Sequence, residues 1–143
     1  MSKTTSPMTE TLDAVAVRKI FSLLENGYDA FFEHVADEVD WTVHGSHPLA
    51  GHYRSKREFI DATFARIARI LRGGTQLRVL HVATSGDWAT VEMQSMATAL
   101  NGMRFDNRYC WVARFRDARI VEVRAYLDSA LICELFQENV GLA

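Results

Sequence analysis

Asp40-Trp-Thr-Val-His-Gly-Ser-His-Pro-Leu-Ala-Gly-His-Tyr53 joins a strand to a helix through a rigid bend. Trp41 and Val43 alternate on a short strand, Val39–His44. A glycine-proline turn follows, with His44 and His47 at its lip. Ser55-Lys-Arg-Glu58 then reads as a capping box, so a helix starts immediately after the turn. An aromatic wall, titratable nitrogens and a fixed bend are the raw material of a pocket mouth.

Upstream of this run, Leu12, Val17, Ile20, Phe21 and Leu24 recur at helical spacing until Asn26-Gly27. Tyr28–Val35 reads as a second short helix. The third, from about Lys56 to Leu71, buries Phe59, Ile60, Phe64 and Ile67 and stops at Gly73-Gly74. The remainder is a meander of strands near Gln76–Thr84, Ala89–Leu100, Met103–Phe115 and Arg119–Leu127. Asn101-Gly102 is a strong hairpin signal, because both residues tolerate the positive φ of a type I′ turn. A last helix covers Ser129–Gln137. Helices followed by strands give an α+β class, with one domain over residues 11–140 after a Ser/Thr-rich tail at 1–10.

Alternation in the long strands bears on function. Val91, Met93, Ser95, Ala97 and Ala99 share one face; Asn107, Tyr109, Trp111, Ala113 and Phe115 share one face of the next strand. Small residues leave volume, while rings and an amide give apolar walls with a few polar tips, as a small-molecule cavity needs. The alternative is a sheet whose alanines admit bulky helix side chains. The last strand has two registers. Either Glu122, Arg124, Tyr126 and Asp128 face the helices, or Val121, Val123, Ala125 and Leu127 do.

Bulk composition narrows the classes. The 143 residues are 48% hydrophobic and 24% charged, with a net charge of −2. That is ordinary globular composition with no positive field for nucleic acid. No apolar run approaches a membrane span, and the N-terminus has no apolar core of signal-peptide length. Cys110 and Cys133 lack metal or redox spacing, so they read as reduced packing residues of a cytoplasmic protein.

Two stretches, Asp40–Tyr53 and Asn107–Asp128, resemble the nuclear-transport-factor-2-like superfamily. The resemblance is nearest to its SnoaL-like branch of polyketide-cyclase and ketosteroid-isomerase relatives. It implies a cone-shaped, cystatin-like α+β barrel in which N-terminal helices pack into a curved, five-stranded mixed sheet, usually as a homodimer. The scaffold hosts enzymes and non-enzymes alike. Tyr126-Leu-Asp128 looks like the last aspartate of the limonene-epoxide-hydrolase set. The other members fall on Ser95, Ala97, Trp41 and Val43, so that set is not matched. The ketosteroid-isomerase positions fall on Val43, Ile20 and Trp111, which supply neither base nor acidic donors. SnoaL-like cyclases use a single acid/base Asp, a role the resemblance gives to Asp128.

The expected site therefore has Asp128 as acid/base with His44 and His47 assisting. Trp41, Tyr53, Ser95, Asn107, Tyr109, Trp111, Arg124 and Tyr126 would bind ligand. Each has a structural counterpart: Asp128 can cap the helix that starts at Ser129, the histidines can belong to a polar loop, and the aromatics can be core. His44, His47 and His52 also invite a metal reading, which the intervening Gly and Pro disfavour, so the expectation is no metal and no cofactor. The implied function is cofactor-independent isomerisation, cyclisation or hydration of a small, largely apolar molecule. The alternatives are a non-catalytic binding module and a structural dimer.

Overall fold

The computed structural model describes residues 11–139 and 141, and the tail expected at 1–10 lies outside them. Asp13 opens α1 (Ala14–Ser22) by accepting a bond from the Val15 amide at 2.9 Å. The chain then tightens into a 3₁₀ turn (Leu23–Asn26), which ends at Gly27 with φ +112°. Helix α2 (Asp29–Phe32) is shorter than the sequence suggests, because Val35 already belongs to β1 (Val35–Val43). Strand β2 (Gly51–Tyr53) folds back antiparallel on β1 and sets Tyr53 opposite Trp41.

The Ser55 cap forms as read, but the return bond from Glu58 reaches one residue further back than a capping box requires. Ser55 Oγ accepts from the Glu58 amide at 3.0 Å, and Glu58 Oε1 accepts from the Arg54 amide at 2.8 Å. The helix expected to reach Leu71 instead breaks at Thr63 (φ −123°, ψ −81°) into α3 (Lys56–Ala62) and α4 (Phe64–Ile67). The meander comprises β3 (Leu77–Ser85), β4 (Trp88–Ser95), β5 (Ala97–Thr98), β6 (Arg104–Phe105), β7 (Arg108–Arg116) and β8 (Arg119–Leu127). Helix α5 (Ser129–Glu138) follows.

Six strands, not five, form the main sheet in the order β2-β1-β8-β7-β4-β3. Only β1 and β8 pair in parallel, so the sheet is mixed. Strands β5 and β6 make a separate ribbon around the Asn101-Gly102 turn. Ser95 makes that break possible: its Oγ donates to the Phe105 carbonyl at 2.8 Å and accepts from the Asn107 amide at 2.7 Å. A side chain thus replaces ladder bonds that a continuous strand would have made.

Two bulges set which side chains face the helices. On β3 the pairing steps from Val79↔Met93 to His81↔Glu92, leaving Leu80 as the extra residue. On β8 it steps from Phe115↔Ile120 to Arg114↔Glu122, leaving Val121 extra. Ile120, Val123 and Ala125 are therefore all buried although their spacing is not a simple alternation. The helices and the inner sheet face meet in an aromatic core. Trp41 stacks on Phe59 at 3.9 Å and meets Trp111 edge-on at 5.0 Å, and Phe21, Phe31, Phe32 and Phe64 pack around them.

Candidate functional site

Between the broken helix and the sheet lies a cavity with an empty volume of about 430 Å³, counting the part open to solvent. About 40 Å³ of it admits the centre of a water-sized sphere. Phe59, Thr63, Phe64 and Ile67 form its helical wall. Val43, Leu77, Tyr109, Trp111, Ala125 and Leu127 form its sheet wall, and Leu49 and Thr75 close it. The break at Thr63 matters here, because Phe59 and Phe64 lie on either side of it and both reach the cavity. Thr63 Oγ1 caps the break by donating to the Phe59 carbonyl at 2.7 Å.

The loop His44–Ala50 is the cavity's lip and is held at several points. Tyr53 donates its hydroxyl to the Leu49 carbonyl at 2.9 Å, and Arg66 donates to the Pro48 carbonyl at 3.2 Å. The Cys133 thiol donates to the Ser46 carbonyl at 3.4 Å. His47 bridges the loop internally: Nδ1 accepts from the Leu49 amide and Nε2 lies against the His44 carbonyl, both at 3.1 Å. Together these bonds require the Nε2–H tautomer, so both ring nitrogens are engaged. The restraints drive Leu49, only 6% exposed, into the cavity.

Of the residues expected to act, Tyr109 and Trp111 line the cavity. Desolvation pushes the Tyr109 phenol well above its ordinary range, and hydrogen bonding with Ser95 and Asn107 side chains only partly opposes it. The phenol is therefore neutral at any working pH, a donor rather than a base. Ser95 is spent on the β5–β6 junction. Asn107 ties strand ends together, its Oδ1 accepting from the Arg108 amide at 2.8 Å and its Nδ2 donating to the Asp128 carbonyl at 3.4 Å. Trp41 stands behind Phe59 in the core, and Tyr53 holds the lip.

The other expected residues lie elsewhere. Asp128 is exposed and caps α5, accepting from the amides of Ala130 at 3.1 Å and Leu131 at 3.3 Å. The β8 bulge turns Val123, Ala125 and Leu127 inward, so Arg124 and Tyr126 are corrected to the outer face. There Arg124 covers the Trp88 ring at 4.6 Å, and Tyr126 stacks on His44 at 4.6 Å. His44 thus faces away from the cavity. His52 bonds Asp40 at 2.6 Å. Among the described residues, no three His, Cys, Asp or Glu side chains group as a metal site would require.

A family model described as a SnoaL-like domain matches residues 17–123. The chain belongs to the SnoaL-like family. Its similarity to a dimerizing cyclase of a fungal species (strain ATCC 74256) is 25% identity over 127 residues, 86% of this chain and 56% of that protein. The chain spans little more than half the length of the curated relatives it matches. An NTF2-like protein from Burkholderia thailandensis E264 superposes with a TM-score of 0.70 at 24% identity, covering 87% of this chain and 95% of that one. A cystatin-like protein of unknown function from Xanthomonas campestris gives 0.71 at 20% identity, covering 87% and 98%. These likenesses establish the fold.

Within this SnoaL-like domain, sequence reasoning overlooked Thr75, Thr63 and Leu49 as cavity residues. Thr75 shares the parity of Leu77 and Val79, both buried, which was the available signal. Thr63 and Leu49 had none, since a helix break and a restrained loop placed them.

Proposed function

We propose that this SnoaL-like domain holds a small, largely apolar molecule in its cone-shaped cavity and promotes isomerisation or cyclisation without a cofactor. The observation that carries the reading is the partly open, ring-lined cavity between the helical wall and the sheet. Confinement next to a neutral phenol favours rearrangement through orientation and donation to a developing oxygen charge. The similarity to dimerizing cyclases points the same way. Only about 40 Å³ admits a water's centre, so a ligand enters by displacing Leu49 or repacking Phe64.

A second reading, a binding module without turnover, is favoured by a specific observation: no carboxylate or imidazole lines the cavity. Incubation with a panel of small unsaturated ketones, followed by chromatography and mass spectrometry, separates the two. Products of unchanged mass that diminish at least about tenfold in Tyr109→Phe support turnover. Binding without any product supports the module and rejects the enzyme. We further propose a cytoplasmic homodimer joined through the outer sheet face. No helix among the described residues is long and apolar enough to cross a membrane.

A further inference from the structure

Three hydroxyl-bearing side chains line the cavity, and they are not equivalent. Thr63 is committed to the Phe59 carbonyl at 2.7 Å. Tyr109 is only half-buried, and its phenol is not among the fully shielded polar atoms. Thr75 is 6% exposed, and its Oγ1 is fully shielded without a protein partner. A buried polar atom left without a partner costs about 1–3 kcal/mol, and most such groups in folded proteins are satisfied. Trp41 Nε1 is the other such atom among the described residues, but Trp41 lies in the core and does not line the cavity. Thr75 is thus the one cavity side chain among the described residues whose polar atom is fully shielded and has no partner.

The remaining lining restricts what can satisfy it. No Lys, Arg or His lines the cavity, so a carboxylate or phosphate would be stripped of water with no counter-charge. A polyol would bring more hydroxyls than the walls can match. An oxygen held by Thr75 with a hydrocarbon body against Phe59, Phe64, Ile67 and Trp111 leaves no group unmatched.

We infer that Thr75 is the polar anchor of the cavity, and that its ligand is a neutral molecule with a compact hydrocarbon body and one carbonyl or hydroxyl oxygen. This rests on the cavity being a ligand site. It adds the class of ligand and the residue that selects it, and makes Thr75 a binding residue whether or not turnover follows. A threonine hydroxyl donates and accepts, so ketone and alcohol share the site.

Cyclohexanone, cyclohexanol, methylcyclohexane and cyclohexanecarboxylate, titrated by NMR into the protein and into Thr75→Val, test the inference. Valine keeps the shape and removes the hydroxyl. The expected result is that the protein prefers ketone or alcohol over methylcyclohexane by about fivefold, the worth of one hydrogen bond. Carboxylate should not bind. In Thr75→Val the preference should vanish while methylcyclohexane binds at least as well. The variant should also unfold at the same or a higher denaturant concentration, since the valine buries no unmatched hydroxyl. An unchanged preference in Thr75→Val, or a marked loss of its stability, overturns the anchor and leaves the cavity reading standing. Failure of all four probes, the hydrocarbon included, overturns the cavity reading and the anchor together. A ketone-only preference abolished in the variant assigns Thr75 as donor; an alcohol-only one assigns it as acceptor; either supports the anchor.

Discussion

Gly45 and Asp128 show how single residues shape the cavity's rim without doing chemistry there. Gly45 has φ +121°, and a Cβ at that position would collide with Ser129 Oγ and approach His47 Cδ2 at 2.8 Å. Only glycine lets the loop pass the start of α5 so closely. Asp128 holds that same helix start by accepting two amide protons. Asp128→Ala should therefore lower unfolding stability by about 1 kcal/mol, whereas Asp128→Asn, itself a good cap, should change it by only a few tenths. Denaturant titration measures both. Ligand binding or turnover should survive both substitutions, and a large loss in Asp128→Asn at unchanged stability would restore the carboxylate as an acid or base.

At the scale of elements, the outer face of the sheet departs from the apolar stripe that one of the two registers implied. Its cross-strand row Thr42, Arg124, Val112 and Thr90 is mixed, as is the row Tyr126, Cys110 and Glu92. Leu80, at its bulge, and Tyr126 remain 37% and 39% exposed. A homodimer through this face would be polar at its rim and would rely on Val112 and the Tyr126 ring towards its centre, with Leu80 on the β3 edge. Sedimentation should give a two-chain mass, and Val112→Arg should return it to one chain while leaving the circular dichroism spectrum intact. A single-chain mass for the unaltered protein at micromolar concentration rejects the proposed face.

For the molecule as a whole, burial of the Tyr109 phenol ties folding to alkaline pH. Its folded pKa is raised above the unfolded value of about 10, chiefly by desolvation. The stabilisation is therefore fully present below about pH 10 and is lost as pH climbs beyond it, because the unfolded chain releases the proton first. Each such group can contribute up to about 1.4 kcal/mol per pH unit. Tyr53 and Cys110 are raised as well, both chiefly by desolvation, so the decline is shared. Urea unfolding from pH 8 to 11 should show a shallower decline in Tyr109→Phe, and identical slopes would place the phenol in contact with water.

Much of this fold follows from local chemistry alone. The helix cap at Ser55, the Asn101-Gly102 turn and the inward parity of Val91, Met93, Tyr109 and Trp111 each depend on neighbours in the chain. So the α+β class, and Tyr109 and Trp111 as parts of the cavity wall, were legible in the chain alone. What required the folded molecule was everything fixed by long-range pairing. The extra residue at Val121 reverses the parity of β8, which sends Arg124 and Tyr126 outward and Leu127 in. An aspartate that caps a helix and one that enters a cavity occupy the same place in a sequence. Strand pairing and the packing of α5 choose between them, because backbone hydrogen bonds must be satisfied before any side chain is free to act.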